Sequence, residues 1–162
     1  MNIKNVTIAN IGAIAPLIAK FRVELLGLKS VQSSEDVESA KEEFESYIKS
    51  QYPIYVYQEN GEFLGYLVCR VDGDVVWVES LFVLKEHRRR GIAAALFAVA
   101  EELAKSHGND TLYNYVHPNN DGMISFLSNR GYNVLNLIEV RKKYEDEKTT
   151  EKIQVRNNFF DY

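Results

Sequence analysis

The chain has 162 residues and a mass of 18.6 kDa, and its 46% hydrophobic and 26% charged residues are ordinary for a globular protein. We therefore expect one domain over residues 1–162, without a second catalytic domain. The net charge of -4 at pH 7 argues against nucleic-acid binding, because no long basic stripe stands out against the acidic background.

Cysteine usage and hydropathy exclude further classes. The single cysteine, Cys69, excludes an internal disulfide framework and any multi-cysteine metal site, and the histidines are too isolated to indicate a metal site, so we expect none. The first residues lack the pattern of a signal peptide, and no run of about 18 apolar residues indicates a membrane span. We expect a cytoplasmic protein that does not bind membranes.

The first third of the chain predicts a strand followed by two amphipathic helices. A short strand is expected over residues 2–7. Apolar residues then recur at helical spacing from Ile14 to Leu28, and Pro16 places the start of that helix nearby. Ser33 and Ser34 precede two acidic residues, a pattern typical of a helix N-terminus, and a second apolar helix face runs on to Ile48.

The middle of the chain changes to a strand pattern. Residues 54–58, 63–71 and 75–84 are rich in β-branched and aromatic side chains. The pairs Asn60-Gly61 and Asp72-Gly73 separate them and suit type I′ turns, which require a positive φ at both central residues. The pattern predicts an antiparallel meander of three strands.

Helical and strand patterns alternate in the remainder. Apolar residues between Ile92 and Leu103 form one helical stripe, and Gly108 is placed to end that helix. We expect a strand over 111–116, a short helix over 120–130, a strand over 134–140, a charged turn over 141–152 and a last strand over 153–159.

The segment that joins the third meander strand to the following helix combines basic residues with a glycine. The first N–H groups of a helix have no internal partners and lie at the positive end of its dipole, so such a junction favours an anion. Gly91 removes the side chain where a ligand approaches the backbone, Ala93 keeps the next position small, and the arginines add positive charge. An arginine-rich turn is otherwise often a solvated loop. The glycine spacings of triphosphate and dinucleotide sites are absent.

In this setting the sequence resembles the GNAT superfamily of N-acetyltransferases. The family's motif is Arg or Gln, two residues, Gly, one residue, then Gly or Ala, and it lies between a meander strand and a helix. A second segment, residues 120–132, is similar to the family's Asn-led helix that ends in Gly and an aromatic residue. The resemblance implies a mixed α/β fold with a mostly antiparallel sheet of about seven strands and about four helices. The motif reads here Arg88-Arg89-Arg90-Gly91-Ile92-Ala93.

The resemblance also implies acetyl-CoA as the cofactor, in a V-shaped opening between strands 75–84 and 111–116. Backbone groups of Leu81 and Val83, on either side of Phe82, would pair with the pantetheine arm. Amides near Arg89 to Ala93 would hold the pyrophosphate, and Asn120 would touch the pantetheine. The cofactor positions are Leu81, Phe82, Val83, Arg88, Arg89, Arg90, Gly91, Ile92, Ala93 and Asn120.

For catalysis, Glu79 resembles the family's common glutamate and is the predicted general base, although a structural or surface glutamate is an equal alternative. Many relatives have a tyrosine as general acid four residues before the glycine that ends the Asn-led helix. In this sequence that glycine is Gly131, and Leu127 occupies the position of the tyrosine. Tyr113, Tyr115 or Tyr132 could substitute, or they could be packing residues, or the thiolate leaves without an enzymic acid.

The implied activity is direct acetyl transfer to a primary amine of a small molecule, a peptide or a protein. The alternative is a non-catalytic acyl-CoA sensor or interaction domain, which the departure at Leu127 motivates. The sequence leaves open whether the chain forms a homodimer. Acceptor specificity is expected from the first two helices, especially Phe21, Arg22, Glu24, Leu25 and Lys29, and from the last hairpin.

Overall fold

We describe the protein from a computed structural model that covers residues 2–162. The chain divides into two compact units, one ending at Ser125 and the other spanning Phe126–Tyr162. The first unit contains the main sheet and three helices, and the second contains a hairpin.

The main sheet has five strands in the order β1-β2-β3-β4-β5. The first four pair antiparallel, whereas β4 and β5 run parallel. The meander predicted for the middle of the chain is confirmed as β2, β3 and β4. The strands are β1 Ile3–Asn5, β2 Ile54–Glu59, β3 Glu62–Asp72, β4 Val75–Val83 and β5 Tyr113–Asn114.

The two meander turns differ. Asn60 and Gly61 have φ values of 50° and 88°, as the predicted type I′ turn requires. At the second turn Asp72 pairs with Val75, so the loop residues are Gly73 and Asp74, and of these only Gly73 has a positive φ. The type I′ prediction is wrong there, because the strand continues one residue further than the Asp-Gly pair suggests.

Helices cover both faces of the central strands. The helices of the first unit are α1 Ile11–Leu28, α2 Val37–Lys49 and α3 Ile92–Ser106, and α4 Asp121–Ser128 crosses the boundary between the units. Tyr66 and Val68 of β3 belong to a buried cluster with residues of α1 and α2. Leu67 and Cys69 alternate to the opposite face and are also fully buried. A strand buried on both faces requires a layer of structure on each side, and α3, which packs on β3 and β4, covers the second face.

Helix α1 begins at Ile11, five residues before Pro16, so its start lies near this proline, as the sequence predicts. A short 3-10 turn over Ile8–Asn10 leads directly into the helix. Pro16 is the sixth helical residue and has no N–H, so it cannot donate to the Gly12 carbonyl four residues earlier. The N-cap of α2 is Asp36, which accepts from the Ser39 amide at 3.0 Å, so the prediction of a serine cap at Ser33 or Ser34 is wrong and the helix begins later.

The second unit departs most from prediction. A two-stranded antiparallel hairpin, β6 Lys152–Val155 and β7 Asn158–Asp161, stands where one last strand was expected. Residues 134–140 form no strand, which corrects that prediction, and Val134 is 86% exposed. A strand needs a hydrogen-bonded neighbour, and the apolar pattern of one segment does not supply it. The fold class is confirmed, with seven strands among the described residues divided between two sheets.

Candidate functional site

The main sheet opens between β4 and β5. Their parallel pairing consists of two register pairs, Trp77 with Tyr113 and Val78 with Asn114. Beyond Val78, the rest of β4 pairs only with β3 on its other side. The opening that the family resemblance implies therefore begins at Glu79 and runs towards Val83. The expected strand over 111–116 is in fact limited to Tyr113–Asn114.

Glu79 lies at an irregularity in β4. Ser80 pairs with Val68 and Val78 pairs with Cys69, so Glu79 is the extra residue of a β-bulge. A bulge re-aims a side chain and interrupts pairing, and bulges are frequent beside active sites. Here it occurs at the mouth of the opening, and a third of the Glu79 side chain is exposed.

Arg70 and Trp77 flank this carboxylate. The Nε of Arg70 lies 3.7 Å from Oε2 of Glu79, and the Arg70 guanidinium carbon lies 5.3 Å from the centre of the Trp77 ring. The Arg70 Nε is buried and has no hydrogen-bond partner among the described residues. The arginine therefore places a positive charge beside Glu79 without a direct hydrogen bond to it.

The two candidate tyrosines, Tyr113 in β5 and Tyr115 directly after it, pack on the same tryptophan. Ring centres lie 4.9 Å apart for Trp77 and Tyr113, and 4.7 Å apart for Trp77 and Tyr115, whose planes differ by only 12°. Tyr115 is 65% exposed, so its hydroxyl reaches solvent, whereas Tyr113 is half-buried. The structure thus places both tyrosines on Trp77, which precedes Glu79 by two residues in β4.

The loop before α3 presents backbone donors. Arg89 and Gly91 have positive φ values of 62° and 82°, and Arg90 between them does not. Gly91 is the N-cap of α3, and the Ala95 amide donates to its carbonyl at 2.9 Å. The amides of Ile92–Ala94 have no acceptor among the described residues, and a Cβ on Gly91 would have no atom within 4 Å. Such a turn is the geometry in which proteins bind anionic oxygens.

Two of the three arginines in this loop already have protein partners. Arg88 donates to both oxygens of Glu24 at 2.8 and 2.7 Å, and Arg90 donates to Glu59 at 2.8 and 3.1 Å. Glu24, which sequence considerations offered to an acceptor amine, instead binds Arg88. The Arg89 side chain has no hydrogen bond or ion pair within the described part of the chain.

The remaining predicted cofactor positions lie along the opening and beyond it. Leu81 is half-buried, while Phe82, Val83 and Ile92 are buried, so Phe82 and Val83 can offer a ligand their backbone more readily than their side chains. Asn120 precedes α4, and its side-chain oxygen accepts from the Met123 amide at 3.1 Å.

Leu127, where relatives have a tyrosine, is only 7% exposed. Burial of an apolar side chain gives this position a packing role, and leucine has no proton to donate. The tyrosine general acid of the family is therefore absent from this position of the chain.

Sequence comparison agrees with this geometry. The sequence profile of the Acetyltransferase (GNAT) family matches residues 22–132, which is more than half of the chain and includes the loop before α3 and both strands of the opening. The chain belongs to the GNAT acetyltransferase family. Members of this family use acetyl-CoA.

Solved structures show the same fold at low sequence identity. A probable acetyltransferase has a TM-score of 0.71 at 20% identity, covering 91% of this chain and 100% of its own. The ribosomal-protein-alanine N-acetyltransferase of Brucella melitensis biovar Abortus 2308 has 0.66 at 13% identity, covering 89% and 100%. The aminoglycoside N-acetyltransferase AAC(6')-Iy in complex with CoA has 0.67 at 16% identity, covering 87% and 93%.

Sequence reasoning did not identify Arg70 or Glu59 as part of this candidate site, and it assigned Glu24 to the acceptor without its contact to Arg88. Arg70 could have been found from the sequence. It is a charged residue in an otherwise apolar strand, and counting residues from the turn at Gly73 places it opposite Trp77. Glu24 and Glu59 are distant in sequence from the arginines that they bind, and no local pattern indicates the pairing. In the part of the chain that the structure describes, no helix is long and apolar enough to cross a membrane, and no cluster of potential metal ligands occurs.

Proposed function

We propose that the protein is an N-acetyltransferase that moves an acetyl group from acetyl-CoA directly to a primary amine. The observation that carries this proposal is the alignment of three features along β4. They are the unpaired amides at the start of α3, the sheet opening between β4 and β5, and the carboxylate of Glu79 in the bulge.

The residues of the opening suit the cofactor's chemistry. The amides of Ile92–Ala94 and the left-handed Gly91 would hold the pyrophosphate, since they supply several donors at the positive end of a helix. The backbone of Leu81, Phe82 and Val83 would line the pantetheine arm, because β5 no longer pairs with this part of β4. Asn120 keeps an amide nitrogen for the same arm while its oxygen caps α4.

Acetyl-CoA would supply an activated acetyl thioester. In the proposed reaction, Glu79 accepts the proton that the amine must lose, either directly or through a water molecule. The bulge aims the carboxylate at the mouth of the opening, and Arg70 places a positive charge beside it. A positioned base is worth roughly two to four orders of magnitude in rate.

A tyrosine in β5 or directly after it would donate the returning proton. Tyr115, which follows β5, is the better candidate, because it is exposed and stacks on Trp77, two residues before Glu79 in β4. Tyr113 in β5 is the second candidate. Either would take over the role that Leu127 does not fill.

The acceptor would approach from the side of α1 and α2. A shallow pocket of about 200 Å³ lies between α1 and the connection to α2, with Arg22, Leu26 and Asp36 in its lining. This volume is below the roughly 300 Å³ at which sites for drug-sized ligands begin, so the pocket suits one functional group of a small molecule or one side chain of a peptide.

A calorimetric titration of the folded protein with acetyl-CoA tests the cofactor part of the proposal. Gly91→Asp should weaken binding by at least about tenfold, because it adds a negative charge and a strained φ in front of the pyrophosphate. Gly108→Asp is the matched control: Gly108 has the same φ of 82° and the same open surroundings at the other end of α3. Absence of any heat with the wild-type protein would contradict the proposal.

A non-catalytic acyl-CoA sensor is the second candidate, and the buried Leu127 is the observation that favours it. Release of free thiol measured across a panel of amines separates the two functions. Thiol release that depends on an added amine supports the enzyme, and tight binding of acetyl-CoA without release supports the sensor.

A further inference from the structure

The cofactor loop is fastened to helix α1 by one side chain. Arg88, the first residue of the GNAT motif, donates from its terminal nitrogen to both oxygens of Glu24 on α1. Its Nε donates to the Val83 carbonyl at 2.8 Å, and its guanidinium carbon lies 5.6 Å from the centre of the Phe82 ring. Arg88 thus connects the end of β4, the loop and α1.

Cations outnumber carboxylates around the contact between Arg88 and Glu24. Lys85 also approaches Glu24, with 3.9 Å between its Nζ and Oε1, so two cations share one carboxylate. Arg90 is held by Glu59 of β2, and its second terminal nitrogen lies 2.8 Å from Nδ1 of His87. Arg89 alone among the three arginines extends from the loop without a protein partner in the described residues.

We infer that Glu24 is a positioning residue for the cofactor site, which acts through Arg88, and that Arg89 is the arginine side chain available to the phosphates. This inference rests on the proposed function, because it assigns roles within the same site. Glu24 holds the Arg88 side chain away from the ligand and fixes the beginning of the loop, so that the amides of Ile92–Ala94 are set before the cofactor arrives.

The geometry supports a measurable effect. The Glu24–Arg88 contact is charge-assisted and uses both carboxylate oxygens, and about a third of each side chain is exposed. Exposed ion pairs contribute little, whereas a paired carboxylate with further backbone anchoring contributes more. We expect Glu24→Gln to raise the Kd for acetyl-CoA roughly threefold to tenfold.

The test combines binding and steady-state kinetics on the full chain. Glu24→Gln should raise both the Kd and the KM for acetyl-CoA and leave kcat within about twofold, since the residue does not contact reacting atoms. Arg88→Lys, which cannot contact Glu24 and the Val83 carbonyl in the same way, should give a similar change. The double variant should be no worse than the stronger single variant, because both substitutions remove one contact.

Glu35→Gln is the matched control. Glu35 pairs with Lys20 of α1 at 2.9 Å, an ion pair that does not involve the loop, so its loss should leave the Kd unchanged. Arg89→Gln should weaken binding with a reduced salt dependence, as expected for a lost phosphate contact. An unchanged Kd in Glu24→Gln, or a fall in kcat with unchanged KM, would overturn the inference while the proposed function stands. Failure of the wild-type protein to bind acetyl-CoA would instead overturn the proposed function.

Discussion

At the scale of single residues, the proposed proton transfer depends on a carboxylate that interrupts its own strand. Glu79 is the extra residue of the β4 bulge, with Arg70 at 3.7 Å and Trp77 two residues before it in β4. A glutamate that served only solubility would not require a β-bulge at its position. It would also not require a neighbouring arginine whose Nε is buried without a hydrogen-bond partner. This combination favours a proton-transfer role for Glu79.

Glu79→Gln tests that role. The amide keeps the shape of the side chain but cannot accept a proton, so kcat should fall about a hundredfold or more while the Kd for acetyl-CoA stays within about twofold. Steady-state kinetics with a working amine, together with calorimetry, measure the two effects. Glu45→Gln on the exposed face of α2 serves as the control for a lost carboxylate. Unchanged turnover in Glu79→Gln would assign Glu79 a structural role.

Sequence reasoning could name Glu79 but not its surroundings. Glu79 is a charged residue in an apolar strand, and the amino-acid sequence alone shows this contrast. The bulge depends on which residues of β3 face β4, and the Glu24–Arg88 pair joins positions 64 residues apart. Such contacts follow from tertiary packing and leave no local signal.

At the scale of elements, the β3–β4 pair is held close by a glycine. A Cβ on Gly65 would lie 2.7 Å from the carbonyl oxygen of Phe82 and 3.1 Å from Cγ2 of Val83. The backbone at Phe82 and Val83 borders the opening proposed for the pantetheine arm. Close packing at Gly65 therefore affects both the stability of the sheet and the shape of the site.

Gly65→Ala should lower the free energy of unfolding by about 1–3 kcal/mol, because backbone atoms must move apart to admit the methyl group. Denaturant melts measure the loss, and the affinity for acetyl-CoA should fall in parallel. Gly27→Ala in α1 is the control, because nothing lies within 4 Å of its Cβ position. Alanine there should stabilise the protein by about 0.5–1 kcal/mol. Equal stability of the wild type and Gly65→Ala would show that the strands adjust freely.

The elements themselves were largely predictable, because period and turn residues are local properties. The meander and the helix after the arginine-rich loop confirm this, since strand and helix periodicities differ sharply there. Prediction failed at residues 134–140, where an apolar run has no partner strand. It also overestimated β5, which is shortened where the sheet opens.

At the scale of the whole molecule, three groups that ionise only at high pH are removed from water, two of them fully buried in the sheet and one partly buried on α2. Burial raises the pKa of the Cys69 thiol to about 12 from an ordinary value of 9.0. Burial also raises the pKa of the hydroxyls of Tyr66 and Tyr47, although Ser80, which bonds to Tyr66, partly opposes the effect there. All three groups are neutral in the folded protein at pH 7.

These shifts predict a loss of stability in alkali. A group whose pKa is raised by folding contributes its full stabilisation below its unfolded pKa, and the contribution is lost as pH rises towards the folded pKa. The free energy of unfolding should therefore stay level to pH 9 and fall between pH 9 and about 12. Denaturant melts across this range measure the fall, and Cys69→Ala should reduce its slope between pH 9 and 10. An identical slope in the variant would show that the thiol does not contribute.

The family resemblance rested on two motifs in their strand and helix setting, and this resemblance implied the fold class of the molecule. The division into two compact units was not predicted from the sequence, because the composition shows no linker near residue 125. Unit boundaries depend on how densely distant segments contact one another, and sequence composition records only the cases with a flexible linker.

Trp77 is the only tryptophan in the chain, and it is stacked on Tyr115 where β4 and β5 part. The protein consequently carries one indole fluorophore, located at the point where its sheet divides. Its emission reports on this junction alone, without contributions from a second indole elsewhere. Binding of acetyl-CoA in the proposed cleft should therefore change the tryptophan emission, which can be followed in unlabelled protein in real time and at low concentration.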